Sequence, residues 1–253
     1  MSGHSKWSTI KRKKGAADAK RGQLFTKLTR EILIAARSGG VDMDMNFQLR
    51  LAVQKARDSN MPLGNVERAI QRGGGTSGDS SERFEEVTYE GYASGGAAIF
   101  IEAVTDNLNR TVAEIRSTFS KSGGNLGESG SVSWNFETKG IIVAETLDMD
   151  QDEVILFAID NGAEDVDFNE DNIEVRTPVE MLESVRKGLE DFGAIIIKSE
   201  LSKIPKTILN VETKVAVQIL KLLDKFEDLD DVQKVYTNAD FSDQALEEYA
   251  LTI

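Results

Sequence analysis

The chain has 253 residues, a formal net charge of −13 and a hydrophobic content of 40%, which suits a soluble protein of two or three domains. It has no cysteine and one histidine, His4, which excludes disulfides and thiolate metal sites and leaves almost nothing for a multi-histidine metal site or a Ser-His-Asp triad. No segment approaches the roughly 20 apolar residues of a membrane span, and the first residues lack the apolar region of a secretory signal.

The charge is distributed very unevenly along the chain. Residues 1–75 carry 15 Lys and Arg against six Asp and Glu, a net charge of +9, whereas residues 76–253 carry a net charge of −22. A cationic end on an acidic body indicates a polyanionic partner that is bound by that end, and nucleic acid is the commonest such partner, because Lys and Arg displace counterions from phosphates. The alternative is a solvated basic surface that has no partner.

Residues 1–17 are predicted to form an extended basic arm. Its cations can neutralise phosphates, and the indole of Trp7 can stack on an exposed base. Alternatively, Trp7 anchors the arm on the helices that follow. The arm residues that we expect to bind nucleic acid are Lys6, Trp7, Lys11, Arg12, Lys13 and Lys14.

Three helices are predicted next, at about 17–38, 45–59 and from 62 to 73, with Asp44 as a possible cap of the second. The first helix places apolar residues from Leu24 to Ala36 on one arc and cations on another, so one face packs and the other is cationic. The helical cations that we expect to bind nucleic acid are Lys20, Arg21, Lys27, Arg30, Arg50, Arg57, Arg68 and Arg72.

After a linker, the pattern changes to short strands mixed with helices. Residues 84–136 read as two strands, a helix and a strand at 131–136 with an alternating pattern. Residues 140–201 have the β-α-β-β-α-β order of a ferredoxin-like domain. A helix and a strand at 211–239 then complete the first of these groups. We therefore predict an α+β protein in which an N-terminal three-helix domain (1–78) precedes two ferredoxin-like α+β domains. The third domain (138–205) is inserted in the second (79–137 plus 206–253).

Two motifs in the predicted second domain allow more than one interpretation. In residues 105–111, Asp106 and Asn107 can cap a helix. A cation in the first turn opposes the helix dipole, so Arg110 is a further candidate for nucleic-acid binding, although capping alone explains most of the motif. The glycine-rich loop, residues 122–131, can cradle a phosphate with backbone N–H groups. It matches no nucleotide-binding pattern, and a plain turn or a partner-contacting loop is the alternative.

The acidic run at residues 160–172 has no EF-hand spacing. We interpret it as a solvated face that keeps the acidic body away from phosphates.

Five segments stand out in chain order, namely GHSKWSTIKRKKGAADAKRGQLFTKLTREI (3–32), NFQLRLAVQKARDSNMPLGNVERAIQRG (46–73), YEGY (89–92), TDNLNRT (105–111) and GGNLGESGSVSWNF (123–136). These segments resemble the motifs of the YebC/PmpR family. Together they span essentially the whole chain. Ser122 stands where the family usually has His, and Ala93-Ser94 where it usually has Gly-Pro.

The resemblance implies three domains and a cytoplasmic protein of bacterial type. Many members of the family are called DNA-binding transcriptional regulators, whereas others act at the ribosome, and some of these are thought to relieve stalling on proline-rich stretches. We find neither a recognisable helix-turn-helix nor a dimerisation heptad, and a mobile basic arm suits the irregular surface of ribosomal RNA. We therefore expect a monomeric, ribosome-associated translation factor that relieves stalling, with a DNA-binding regulator as the alternative.

The same observations also predict which kinds of site and partner are absent. We expect no catalytic residues, metal or cofactor, and neither a membrane nor a small-molecule substrate as partner.

Overall fold

A computed structural model describes residues 18–75, 84–146, 149–168 and 172–252, and their side chains from Arg21 onward. The basic arm with Lys6, Trp7, Lys11, Arg12, Lys13 and Lys14 lies outside the described residues, as does most of the predicted linker. The described residues belong to two compact units. The smaller unit comprises residues 136–205, and the larger unit comprises the residues before and after it.

The first part of the larger unit consists of three helices, namely α1 (Asp18–Gly39), α2 (Phe47–Asp58) and α3 (Leu63–Gly73). Leu28 and Ile32 of α1 pack with Leu49 of α2 and Val66 of α3 in one core, as the helical periodicity predicts. Leu24, which we expected on the buried arc, is 41% exposed.

The cap predicted for α2 was wrong. Asn46, not Asp44, precedes the helix, and its side-chain oxygen accepts a hydrogen bond from the N–H of Leu49 at 3.0 Å. The amide nitrogen of Asn46 donates to the carbonyl groups of Ala35 and Gly40, each at 2.7 Å. Asn46 is therefore buried where α1 and α2 meet, and it satisfies backbone groups of both helices.

The remaining elements follow in chain order. They are β1 (Glu85–Tyr92), β2 (Ala98–Thr105), α4 (Leu108–Lys121), β3 (Asn125–Leu126), β4 (Phe136–Glu145), α5 (Gln151–Asp160), β5 (Asp165–Phe168), β6 (Ile173–Thr177), α6 (Leu182–Phe192), β7 (Ile195–Pro205), β8 (Leu209–Asn210), α7 (Thr213–Glu227), β9 (Val232–Thr237), β10 (Ala239–Asp240) and α8 (Asp243–Ala250).

The larger unit contains an antiparallel sheet in the order β3-β1-β2-β9. Alternate residues of β2, Ile99 and Ile101, join a core with α4, α7 and α8, because successive side chains of a strand point to opposite faces. Phe119 of α4 and Phe226 of α7 meet edge to face, with ring centroids 4.7 Å apart. Strand β9 thus completes a sheet whose other strands lie far earlier in the chain.

The smaller unit contains a second antiparallel sheet, in the order β5-β6-β4-β7. Ile142 of β4 and Val175 of β6 are fully buried, as are Val154 of α5 and Leu189 of α6. Phe157 and Phe192 stack between the two helices, with centroids 4.4 Å apart. Its strand order and alternation of elements are ferredoxin-like.

The predicted α+β fold class, with helices first and two α/β parts after them, is confirmed. The division into three domains stays a prediction, since the helices α1–α3 share one compact unit with the first sheet. Within the described residues, no helix is long and apolar enough to cross a membrane.

Candidate nucleic-acid interface

Three cations of α1, Lys27, Arg30 and Arg37, contact the part of the larger unit that contains the first sheet. The Nζ of Lys27 donates a hydrogen bond to the carbonyl oxygen of Glu227 at 2.5 Å. The guanidinium of Arg30 lies over the ring of Phe84, 5.2 Å from its centroid, and Arg37 donates to the carbonyl of Phe84. These contacts favour a structural role for Lys27 and Arg30, and their assignment to nucleic acid stays a prediction.

These contacts form because α1 has a second buried face. Leu33 and Ile34 lie outside the helical core and pack with Phe84 and Val104 beside the sheet. Because this face follows the first one around the helix, Lys27 next to it reaches the last residue of α7, and Arg30 reaches the loop between α7 and β9. The sequence pattern places the apolar residues of α1 on one arc, so it does not reveal that the helix packs on two faces.

Asp231 lies in that loop and connects three parts of the larger unit. Its side chain is only 4% exposed. One carboxylate oxygen pairs with Arg30 of α1 at 3.1 Å. The other accepts hydrogen bonds from Thr111 at 2.6 Å, Arg110 at 2.8 Å and Thr105 at 3.1 Å. Both oxygens thus have partners, which a buried carboxylate requires.

These bonds change how the carboxyl group titrates. Burial raises the pKa of Asp231, but the hydrogen bonds from Thr111, Arg110 and Thr105 outweigh it, so the pKa lies below its ordinary value. The pKa of Arg110 is raised by its hydrogen bonds to Asp231 and to Asp106, the latter at 2.7 Å. Charge–charge contacts inside the protein therefore explain the cation in the first turn of α4, while Asn107 caps the helix.

Four other candidate cations are exposed. Arg57 of α2, Arg68 and Arg72 of α3, and Arg21 of α1 are all exposed. Arg50 is half-buried and donates to the carbonyl of Met43 at 2.8 Å. Lys20 lies on α1, outside the residues whose side chains are described. Among the described candidates, the exposed arginines of α2 and α3 are therefore the best placed to meet a phosphate backbone.

The connection between α2 and α3 spans only residues 59–62. Asn60 has a φ of 56°, a left-handed conformation that Asn tolerates better than most residues. A turn of this length between two helices is typical of helix-turn-helix motifs, a feature that we did not recognise in the sequence.

The glycine-rich loop and the two residues after it bind a carboxylate of their own chain. Glu90 is buried, and its oxygens accept the backbone N–H groups of Gly130, Val132 and Ser133 at 2.8, 2.6 and 2.8 Å. Burial raises the pKa of Glu90, but these bonds outweigh it, and the pKa lies below its ordinary value. Because these N–H groups are already used, they are not available to a phosphate. Ser122 accepts a hydrogen bond from Lys225 at 3.1 Å.

The strand predicted at 131–136 was wrong over most of its length. Residues Ser133–Asn135 form a short 3₁₀ turn, and the strand begins only at Phe136. Trp134, within this turn, is 65% exposed, a position that the alternating pattern did not reveal.

Part of the acidic run pairs with arginine. Arg176 of β6 forms ion pairs with Asp165 at 2.9 Å and with Asp167 at 2.8 Å. Within the described residues, no group of three or more acidic, histidine or cysteine side chains is placed to hold a metal ion.

Comparison with known proteins identifies the family. The sequence profile of the TACO1/YebC protein N-terminal domain matches residues 5–76, and that of the TACO1/YebC second and third domain matches residues 84–239. The chain is 53% identical over 249 residues to a probable transcriptional regulatory protein of Dehalococcoides mccartyi, covering 98% of each chain. It is 52% identical over 251 residues to one of Herpetosiphon aurantiacus, covering 99% of each.

A solved structure agrees with these matches. The crystal structure of a conserved hypothetical protein from Aquifex aeolicus superimposes with a TM-score of 0.81 at 44% identity, covering 89% of this chain and 93% of that one. The profiles and the relatives together cover nearly the whole sequence, so this chain belongs to the TACO1/YebC family.

Proposed function

We propose that this protein is a nucleic-acid-binding regulator of gene expression that acts through its basic N-terminal part, as a ribosome-associated translation factor that contacts rRNA and relieves stalling. The observation that carries the proposal is the charge division, +9 in residues 1–75 against −22 in the rest. The exposed side chains of Arg57, Arg68 and Arg72 support it, because they place cations on the solvent side of the helices.

Ribosomal RNA suits this arrangement better than a regular duplex does. Cations spread over an arm and two helices position a protein on phosphates but do not by themselves read base edges. Folded RNA offers irregular phosphate surfaces and unstacked bases, which cations at scattered positions can contact. The net charge of −22 in residues 76–253 repels phosphates at long range, which favours the first contact through the N-terminal part.

A DNA-binding transcriptional regulator is the second candidate. The short turn between α2 and α3 favours it, because a helix-turn-helix places its second helix in the major groove. The relatives' names, probable transcriptional regulatory protein, point the same way.

A competition experiment separates the two candidates. The labelled full-length protein is offered purified ribosomes and a pool of random-sequence duplex DNA at the same phosphate concentration. We expect binding to ribosomes and weak duplex binding without sequence preference. A DNA regulator should instead prefer one duplex by roughly 10³-fold or more over random DNA. Recovery of one enriched duplex without ribosome binding would establish the second candidate and reject the first.

The matched control for this experiment changes cations elsewhere in the larger unit. The triple variant Arg57→Gln, Arg68→Gln and Arg72→Gln should weaken ribosome binding. The control variant Arg116→Gln, Lys214→Gln and Lys221→Gln removes the same charge from exposed positions on α4 and α7, and it should bind like the wild type. Equal losses in the two variants would show that net charge, and not the N-terminal surface, governs binding.

A further inference from the structure

The ring of Trp134 is exposed but held in place. Its indole Nε1–H donates to the carbonyl oxygen of Ser131 at 2.9 Å, and 65% of the residue remains exposed. The same carbonyl oxygen accepts the hydroxyl of Tyr92 at 2.8 Å. Since the one polar atom of the indole is already bonded within the chain, what the residue presents to solvent is mainly apolar ring.

The backbone that carries Trp134 is fixed as well. The N–H of the preceding residue, Ser133, is one of three bound by the buried carboxylate of Glu90. Asn135, on the other side, is 2% exposed, and its side-chain amide donates to the carbonyl of Thr207 at 3.1 Å and accepts the N–H of Thr207 at 2.8 Å. A side chain whose backbone is held on both sides loses little conformational entropy on binding.

A cation stands beside the turn. The N–H of Lys206 donates to the carbonyl oxygen of Asn135 at 2.7 Å, which fixes the backbone of Lys206 next to the residue that follows Trp134. Lys206 itself is exposed. An aromatic ring and a cation on adjacent, rigid backbone segments match the two parts of a nucleotide, a base and its phosphate.

We propose that Trp134 is a stacking platform for an unstacked base of single-stranded RNA, and that Lys206 contacts a neighbouring phosphate. The inference rests on the proposed function and adds to it a second contact, outside the basic N-terminal part. It also states what the RNA must provide, which is a base free of a duplex.

The surroundings of the ring favour a base over a protein partner. Aromatic hot spots in protein interfaces lie within a fully desolvated core of the contact surface. The loop that leads to Trp134 instead exposes Glu128, Ser129 and Gly130. An exposed ring beside a loop of polar residues and glycine is suited to stacking, which requires only the face of a base.

Fluorescence tests the proposal directly. The chain has two tryptophans, Trp7 and Trp134, so a Trp7→Phe background makes Trp134 the sole tryptophan reporter. We expect its emission to be quenched when a ten-nucleotide single-stranded RNA binds, and to change little with a blunt duplex of the same length. In this background, Trp134→Ala should weaken single-strand binding between about five- and a hundredfold, Trp134→Phe should retain most of the affinity, and Lys206→Gln should lower the salt slope by about 0.7.

The control is Leu156→Ala, which removes a side chain of similar exposure, 64%, from α5 and should bind like the background. Thermal unfolding of each variant confirms that it folds, and the quenching result remains informative should Trp134→Ala not fold. If the single strand binds without quenching, or if Trp134→Ala keeps the affinity of the background, this inference is wrong and the proposed function stands. Failure of the wild type to bind either ribosomes or RNA overturns the proposed function with it. Loss of ribosome binding alone in Trp134→Ala would assign the ring to a protein partner instead.

Discussion

At the scale of single residues, two buried carboxylates organise the larger unit. Asp231 connects α1, the start of α4 and the loop before β9, and Glu90 holds the glycine-rich loop. In each case burial disfavours the charge and hydrogen bonds more than restore it, so the charged form stabilises the fold. No sequence pattern distinguishes these two residues from the other Asp and Glu residues of this acidic chain.

Asp231→Asn should lower the free energy of unfolding by about 3–5 kcal/mol at neutral pH, because it leaves the 86%-buried side chain of Arg30 without its carboxylate. The folded pKa of Asp231 lies below that of the unfolded chain, so its stabilising charge is fully present above about pH 4 and is lost as the pH falls through the folded pKa. The difference between variant and wild type should therefore shrink in acid, as measured by urea unfolding at several pH values.

The neighbouring exposed residue provides the control for this prediction. Asp230→Asn changes the same charge one position earlier, where the exposed side chain accepts a hydrogen bond from Gln23 at 3.4 Å. It should unfold like the wild type. A loss for Asp230→Asn equal to that for Asp231→Asn would contradict the assigned role of Asp231.

Glu90→Gln should loosen the glycine-rich loop, because an amide NH₂ cannot accept hydrogen bonds and would face N–H donors of the loop. We expect a loss of about 1–3 kcal/mol in stability and faster hydrogen exchange at Gly130, Val132 and Ser133. Exchange at the same amides in Glu128→Gln, an exposed change in the same loop, should stay slow. Unchanged protection from hydrogen exchange in Glu90→Gln would show that the loop keeps its conformation without the carboxylate of Glu90.

At the scale of elements, α1 combines two roles that its sequence pattern does not separate. One face closes the helical core, and the other, with Leu33 and Ile34, packs toward the sheet. Beside that second face, Lys27 bonds to the end of α7 and Arg30 to the loop after it, while the exposed arginines of α2 and α3 face solvent. A fragment of residues 1–75 would expose Leu33, Ile34 and an unpaired Arg30, so full-length variants test binding more cleanly.

Two triple variants separate these two sets of cations. Arg57→Gln, Arg68→Gln and Arg72→Gln together should lower the slope of log affinity against log salt by about 2–3, because each lost phosphate contact removes roughly 0.7–0.9, with little change in stability. Lys27→Gln, Arg30→Gln and Arg37→Gln should instead lower stability and leave the slope unchanged. Titrations at several salt concentrations measure the first effect, and urea unfolding the second. A reduced slope in the second variant would show that these cations of α1 contact the nucleic acid.

At the scale of the whole molecule, the chain leaves the larger unit after Asn135 and returns at Lys206. The carbonyl oxygen of Asn135 and the N–H of Lys206 are only 2.7 Å apart. The returning chain supplies α7, whose Leu220, Leu223 and Phe226 are fully buried in the core of the larger unit, and β9, which pairs with β2.

Replacement of residues 136–205 by an Asn-Gly turn should therefore leave a folded protein, since two residues close such a gap between antiparallel segments. Truncation after Asn135 should unfold the rest, because it removes α7 and β9. Circular dichroism and urea unfolding distinguish the two. Equal stability of both forms, or unfolding of the shortened chain, would reject the proposed insertion of the third domain in the second.

The sequence by itself determined the features that depend on neighbouring residues and on composition. These are most of the helices and strands, the ferredoxin-like order of the predicted third domain, the α+β class and the cationic N-terminal end. Helical and strand periodicities arise within a few residues, so they are legible without a fold. Only the tertiary structure decided which cations face solvent, since the partners of Lys27 and Arg30 lie some 200 residues away. It likewise decided that Glu90 fills the glycine-rich loop and that Trp134 stays exposed, because a side chain's burial depends on chain segments that no local pattern specifies.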